Sequence, residues 1–145
     1  VAHILWTIGG VYDEMTIIAA ILHDTIEDTD TTPEEIRQSF GDDVLGLVLE
    51  VSDDKSLPKP ERKQKQIAHA PHLSWRAKQI KLADKICNVR DIAFAPPSHW
   101  PRQRRMDYLQ WAGDVIDGLR GANKKLEKHF DETLASARQK LTDEK

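Results

Sequence analysis

The chain has 145 residues, 39% of them hydrophobic and 31% charged, with a formal net charge of -3. This is the size and balance of one globular domain with a sizeable core; the charge gives no basis for nucleic-acid binding, and no apolar run approaches the ~20 residues of a membrane span. A lone Cys87 has no partner for an internal disulfide, and no secretory signal is visible, so a reducing, cytoplasmic setting is expected.

The pattern along the chain is helical throughout. Val1 to Trp6 reads as the end of a helix halted by Gly9-Gly10. There is neither a starting Met nor a cap, so further residues are expected upstream of Val1. Asp13 can cap the next helix, which runs through Met15 and Leu22 to His23 and is apolar on nearly every side; it is predicted to be the buried central helix. Thr32-Pro33-Glu34-Glu35 combines a cap, a proline at the first position and a glutamate in the capping-box place, and the short helix it opens ends near Phe40-Gly41. Asp42 or Asp43 starts another, with Val44, Leu47, Val48 and Val51 at helical spacing. A polar loop from Ser52 to Pro60 follows, then a basic helix from about Glu61 to Ala70. Ser74 caps a long helix that reaches about Phe94, where Pro96-Pro97 ends it. Two more helices, about Arg102 to Gly121 and Ala122 to Leu141, complete a single all-α, non-bundle domain spanning residues 1–145.

Chemistry concentrates in His23-Asp24-Thr25-Ile26-Glu27-Asp28, directly after the most apolar helix. If that helix persists for one more turn, His23 lies over Glu27 and Asp24 over Asp28. Three carboxylates so close together repel one another when buried, and a bound cation removes the problem; imidazole with carboxylate suits manganese, iron or zinc. A helix-end histidine followed by a solvated acidic loop is the plainer alternative. Far along the chain, Asp84 projects from a helix face that also carries Ile80, Ala83 and Cys87. A carboxylate in an apolar stripe needs a partner. Lys81 or Arg90 could supply one, and so could the cation held by His23 and Asp24.

The HD pair with a distant Asp resembles the H…HD…D metal signature of HD-domain phosphohydrolases. The stretches Ala20 to Thr29, Phe40-Gly41, Val51 to Lys55 and Lys81 to Asp91 are similar to the hydrolase domain of RelA/SpoT homologues, and Trp100 with Tyr108-x-x-Trp111 resembles the stand-alone small alarmone hydrolases. The resemblance covers nearly the whole chain. It implies the HD fold, manganese as cofactor, and hydrolysis of the 3′-diphosphate of (p)ppGpp to GDP or GTP and pyrophosphate. His23, Asp24 and Asp84 would be metal ligands, and Glu27 and Asp28 the catalytic acid pair. Lys59, Asn88, Arg104 and Tyr108 would bind substrate, apt for a strongly anionic ester. The partner would be a small guanine nucleotide, with neither nucleic acid nor membrane. The family's first metal-ligand histidine precedes the segment matching Val1-Ala2-His3-Ile4-Leu5, so it would lie before residue 1; His3 occupies a different place. Two rivals share the pattern. One is a related phosphohydrolase on another nucleotide, such as an NADPH 2′-phosphatase. The other is a regulatory domain that binds nucleotide without chemistry, which the intact His23, Asp24, Glu27, Asp28, Asp84 and Asn88 argue against.

Overall fold

Short polar side chains open four of the helices by taking a free amide of the first turn. In the computed structural model, which describes residues 1–144, Asp13 accepts from Thr16 N, Thr32 from Glu35 N, Ser74 from Ala77 N and Asn123 from Leu126 N. The helices are α1 (Ala2–Thr7), α2 (Glu14–Leu22), α3 (Thr25–Asp28), α4 (Pro33–Phe40), α5 (Asp42–Val51), α6 (Lys59–His69), α7 (Trp75–Phe94), α8 (Arg102–Asp117) and α9 (Lys124–Asp143). A 3₁₀ turn, Ala70–His72, joins α6 to α7, and no strand occurs among the described residues. The all-α expectation holds. Gly41, at φ 94°, makes the corner between α4 and α5 in the left-handed region where a Cβ is strained. At Gly118 a Cβ would meet Ala70 Cβ at 2.8 Å, so this glycine lets the end of α8 close on the 3₁₀ turn.

The centre of the domain is α7. Ala77, Ile80, Leu82, Ala83, Ile86, Val89, Ile92 and Ala93 are buried on it, and α1, α2, α5, α8 and α9 all pack against it. Its main partner is α9, whose Leu126, Phe130, Leu134, Ala137 and Leu141 form an apolar stripe at helical spacing. This corrects the expectation that α2 is the buried central helix. Only Thr16, Ala19 and Ala20 of α2 are buried, and Ile21 is 66% exposed. Nine apolar-rich residues do not say which neighbours will cover them, whereas α7 is long enough to touch most other elements.

The remaining shifts are at helix ends. Helix α6 starts at Lys59 with Pro60 in its first turn, so the loop is shorter than expected, and α8 stops at Asp117 rather than near Gly121. None of the described helices is long and apolar enough to cross a membrane.

Asn123 joins three parts of the molecule. Its Oδ1 caps α9, while its Nδ2 donates to Gly9 O (3.0 Å) and to Gln79 Oε1 (2.9 Å), a side chain that is fully buried on α7. Asn123→Ala should therefore cost about 2–4 kcal/mol, combining a lost cap with an orphaned buried amide. Urea denaturation checks this; a loss below about 0.5 kcal/mol, as at an ordinary surface site, would show that the junction contributes little.

Candidate metal centre and active-site cavity

The site is built on one face of α7. Lys81, Asp84, Lys85 and Asn88 follow i, i+3, i+4, i+7 spacing and all line one cavity of about 290 Å³. Asp84 is deeply placed, and burial pushes its carboxyl up. Lys85, His23 and Lys81 outweigh that and hold it well below the usual carboxylate range. Lys85 Nζ (3.3 Å) and Asn88 Nδ2 (3.2 Å) both reach Asp84 Oδ2. The other oxygen, Oδ1, is left facing His23 Nε2 at 3.3 Å.

His23 comes from the opposite wall. Helix α2 stops at Leu22 and α3 starts at Thr25, so the continuous extra turn is replaced by a break that points His23 and Asp24 toward α7. Asp24 Oδ2 lies 3.2 Å from the same His23 Nε2. The three expected ligands thus converge.

Their chemistry fits a cation. His23 Nδ1 stands 2.5 Å from Ala20 O, an acceptor, and therefore carries a proton. Nε2 is buried, lacks a hydrogen-bond partner among the described residues, and would aim a lone pair at two carboxylate oxygens. Donor atoms about 2.1 Å from one ion stand about 3.0–3.4 Å apart at octahedral to tetrahedral angles, which matches the observed spacing. A hydrogen bond from Nδ1 to a backbone carbonyl is the usual way to orient a ligating imidazole. Hydrogen bonding to Asp84 raises the His23 pKa, against the opposing effect of burial. The set is partial: among the described residues no closed group of three or more metal-binding side chains forms.

The two acids of the expected pair differ. Glu27 lines the cavity and its Oε1 accepts from Asp53 N at 3.0 Å. Burial pushes its carboxyl up, with the Asp53 amide pulling the other way. Gln66 Nε2 in turn donates to Asp53 Oδ2 at 2.6 Å, fixing the loop that holds Glu27. Asp28 does not line the cavity. It ends α3, and its carboxylate is paired with Lys55 at 2.9 Å near the surface.

The wall formed by α6 and α8 is cationic and aromatic. Lys59, Arg62, Lys63 and Gln66 repeat the i, i+3, i+4, i+7 spacing on α6 and line the cavity with Tyr108 and Trp111 of α8. Trp111 Nε1 donates to Lys63 O at 3.1 Å, tying α8 to α6. Lys63 lies 4.9 Å from the centre of the Trp111 ring and Lys85 4.6 Å. Burial, then Lys59 and Arg104, push the Lys63 ammonium down, and burial pushes the Tyr108 phenol up. Arg104 is not on the cavity wall; its guanidinium lies 3.9 Å from the Trp100 ring, which Lys59 also approaches at 5.5 Å. Of the nine residues singled out from sequence, the cavity gathers all but Asp28 and Arg104. Asp53, Arg62, Lys63, Gln66, Lys81, Lys85 and Trp111 line it as well. For those on α6 and α7 the signal was the polar i, i+3, i+4, i+7 stripe.

Comparison with known proteins decides the family: an HD domain profile matches residues 1–110. The chain belongs to the HD-domain family. Over 131 residues this HD domain is 53% identical to the Xenopus tropicalis guanosine-3′,5′-bis(diphosphate) 3′-pyrophosphohydrolase MESH1, covering 90% of the chain and 73% of that protein. A solved metazoan orthologue of SpoT, described as hydrolysing ppGpp, superposes with a TM-score of 0.90 at 48% identity, over 93% of this chain and 76% of that one. A solved Listeria monocytogenes protein matches at TM-score 0.76 and 28% identity, over 97% and 92%. The all-helical HD fold is thus shared with MESH1-type proteins, and metal dependence is a property of HD hydrolases.

Asp84→Asn should lower metal affinity at least about tenfold, because it removes a charged ligand, while Glu27→Gln should leave metal content unchanged and reduce kcat about 10²–10⁴-fold. Equilibrium dialysis and turnover separate the two. Equal metal binding by Asp84→Asn and wild type would remove Asp84 from the ligand set.

Proposed function

We infer that this HD domain hydrolyses the 3′-diphosphate of (p)ppGpp, releasing GDP or GTP and pyrophosphate. The observation that carries this is a cavity of mixed charge in a chain about half identical to MESH1 hydrolases. His23, Asp24, Glu27 and Asp84 bring metal-binding and acid–base groups to it, and Lys59, Arg62, Lys63, Lys81 and Lys85 surround them with cations. A substrate with a cleavable phosphate and further anionic charge matches both sets.

In this reading His23, Asp24 and Asp84 hold a divalent metal, with manganese the metal the resemblance implies. When bound, it supplies Lewis-acid polarisation of a phosphoryl oxygen and of a water. Glu27, raised by burial and fixed by the Asp53 amide, is the group to orient the attacking water and accept its proton. The water oxygen bonds to the inner phosphorus, the bond from phosphorus to the sugar 3′-oxygen breaks, and that oxygen takes up a proton. Asp28, at the end of α3 and paired with Lys55, ties that end to the 53–55 loop. Asn88 orients Asp84, and Tyr108 offers a ring face or hydroxyl to the nucleotide. Lys59 and Arg104, both against Trp100, form the outer edge that meets substrate phosphate as it enters.

With manganese present, kcat/KM for ppGpp is expected to exceed that for NADPH dephosphorylation by at least about tenfold. A ratio near or below one would instead favour the NADPH 2′-phosphatase. Charge reversal at Lys59 or Arg104 should raise KM for ppGpp more than it lowers kcat, since these groups bind ground and transition states alike. Steady-state kinetics checks this; unchanged KM in both variants would take them out of the site.

A further inference from the structure

A second cavity, of about 190 Å³, lies directly behind the first. Asp53, Arg62, Gln66 and Lys81 line both, so these four side chains form a common wall. The rest of the second cavity is lined by apolar side chains such as Leu57 and Leu73 and by polar groups of both signs, Lys65 and His69 with Glu50 and Asp54.

Two cations in that wall make no ion pair among the described residues. Lys55 is paired with Asp28, and Lys85 with Asp84. Arg62 and Lys81, by contrast, have no ion-pair partner among the described residues. Arg62 Nε is buried and makes no hydrogen bond, and Gln66 Oε1 beside it is likewise without a partner. Lys81 is mostly buried, and burial followed by the charge of Lys85 pushes its ammonium down. A buried donor without an acceptor, as Arg62 Nε is, is unfavourable unless a ligand completes it.

The layout says which part of the substrate they would meet. The reacting phosphorus has to lie near His23, Asp84 and Glu27. Lys59, Tyr108 and Trp111 occupy the α6–α8 side, where a nucleoside can stack or an outer phosphate can enter. The end of the diphosphate that points away from the sugar is then directed at the common wall. We propose that Arg62 and Lys81 form an inner anion subsite that holds the outer phosphate of the 3′-diphosphate and, after cleavage, the departing pyrophosphate. This rests on the diphosphatase reading above. A mononucleotide ester lacking the second phosphate leaves the subsite empty, so Arg62 and Lys81 would select diphosphate over monophosphate substrates. The competing role for Lys81 is internal: offsetting the charges of Asp53, Asp84 and Glu27.

The test uses inorganic pyrophosphate as probe. Its binding to the metal-free protein is measured by calorimetry, and its inhibition of ppGpp turnover is measured on the manganese-loaded protein. Arg62→Gln and Lys81→Met should each weaken pyrophosphate by about 10- to 100-fold in both assays, the usual cost of removing a charged donor. Lys81→Arg should retain binding within about threefold, because it keeps the cation. Arg90→Gln, which removes an exposed charge on the same helix as Lys81, should change binding less than about twofold, as expected of a screened surface charge. Pyrophosphate affinity at the wild-type level in both Arg62→Gln and Lys81→Met would overturn the subsite, as would an equal loss in Arg90→Gln, which would indicate diffuse charge alone. Should Lys81→Met fail to fold in a thermal melt, Arg62→Gln and Lys81→Arg carry the same decision. Wild-type turnover of ppGpp with unaltered pyrophosphate binding in the variants would reject the subsite and keep the diphosphatase. Absent turnover with weakened pyrophosphate binding would reject the diphosphatase and keep the subsite.

Discussion

Asp84 is a carboxylate held in its charged form midway along the helix on which the domain is assembled. A buried anion without partners is costly, and most of the site can be understood as the means of keeping this one in place. Lys85, the next residue, and Asn88, one turn further along the same helix, occupy one oxygen. His23 turns its free nitrogen to the other, and Ala20 O fixes the orientation of that ring. The cluster is balanced only if something positive stands between His23, Asp24 and Asp84. A proton can do so, and so can a metal ion, which is also the species that makes the neighbouring Glu27 useful.

Around this point the chemistry is displayed by helix periodicity. On α6 the residues at 59, 62, 63 and 66 face the cavity, and on α7 those at 81, 84, 85 and 88. On α8, Tyr108 and Trp111 do so, with Arg104 one turn earlier against Trp100. Packing holds these faces in register. Gly118 lets the end of α8 approach the turn between α6 and α7, and Trp111 bonds to the α6 backbone. A change in that packing would move several substrate-facing groups together.

Much of this was legible in the sequence because caps, prolines and apolar spacing act locally. Ser74 and the double proline at 96–97 bracket α7 correctly, and Thr32-Pro33 marks the start of α4. The convergence of His23 with Asp84 was legible as a need: two groups, each costly to bury alone, that one cation could satisfy together. Burial depth was less legible. The uniformly apolar α2 suggested the centre, yet α7 holds it, its apolar pattern diluted by the four polar residues that face the cavity. Spacing also could not say that Asp28 turns outward to Lys55, or that Arg104 stops at Trp100. Asp84 was matched in prospect with Lys81 or Arg90, whereas Lys85, its immediate neighbour, makes the contact. Helical spacing identifies a face, but the reach of a long flexible side chain on that face is settled only by what surrounds it.

The central claim is that one cation belongs between His23 and Asp84. Anomalous diffraction from manganese-soaked crystals, measured at the metal's absorption edge, tests it most directly. The expected result is a peak about 2.0–2.3 Å from both His23 Nε2 and Asp84 Oδ1, with Asp24 Oδ2 drawn to a similar distance. A fully loaded crystal whose manganese peaks lie away from His23 and Asp84 would contradict it.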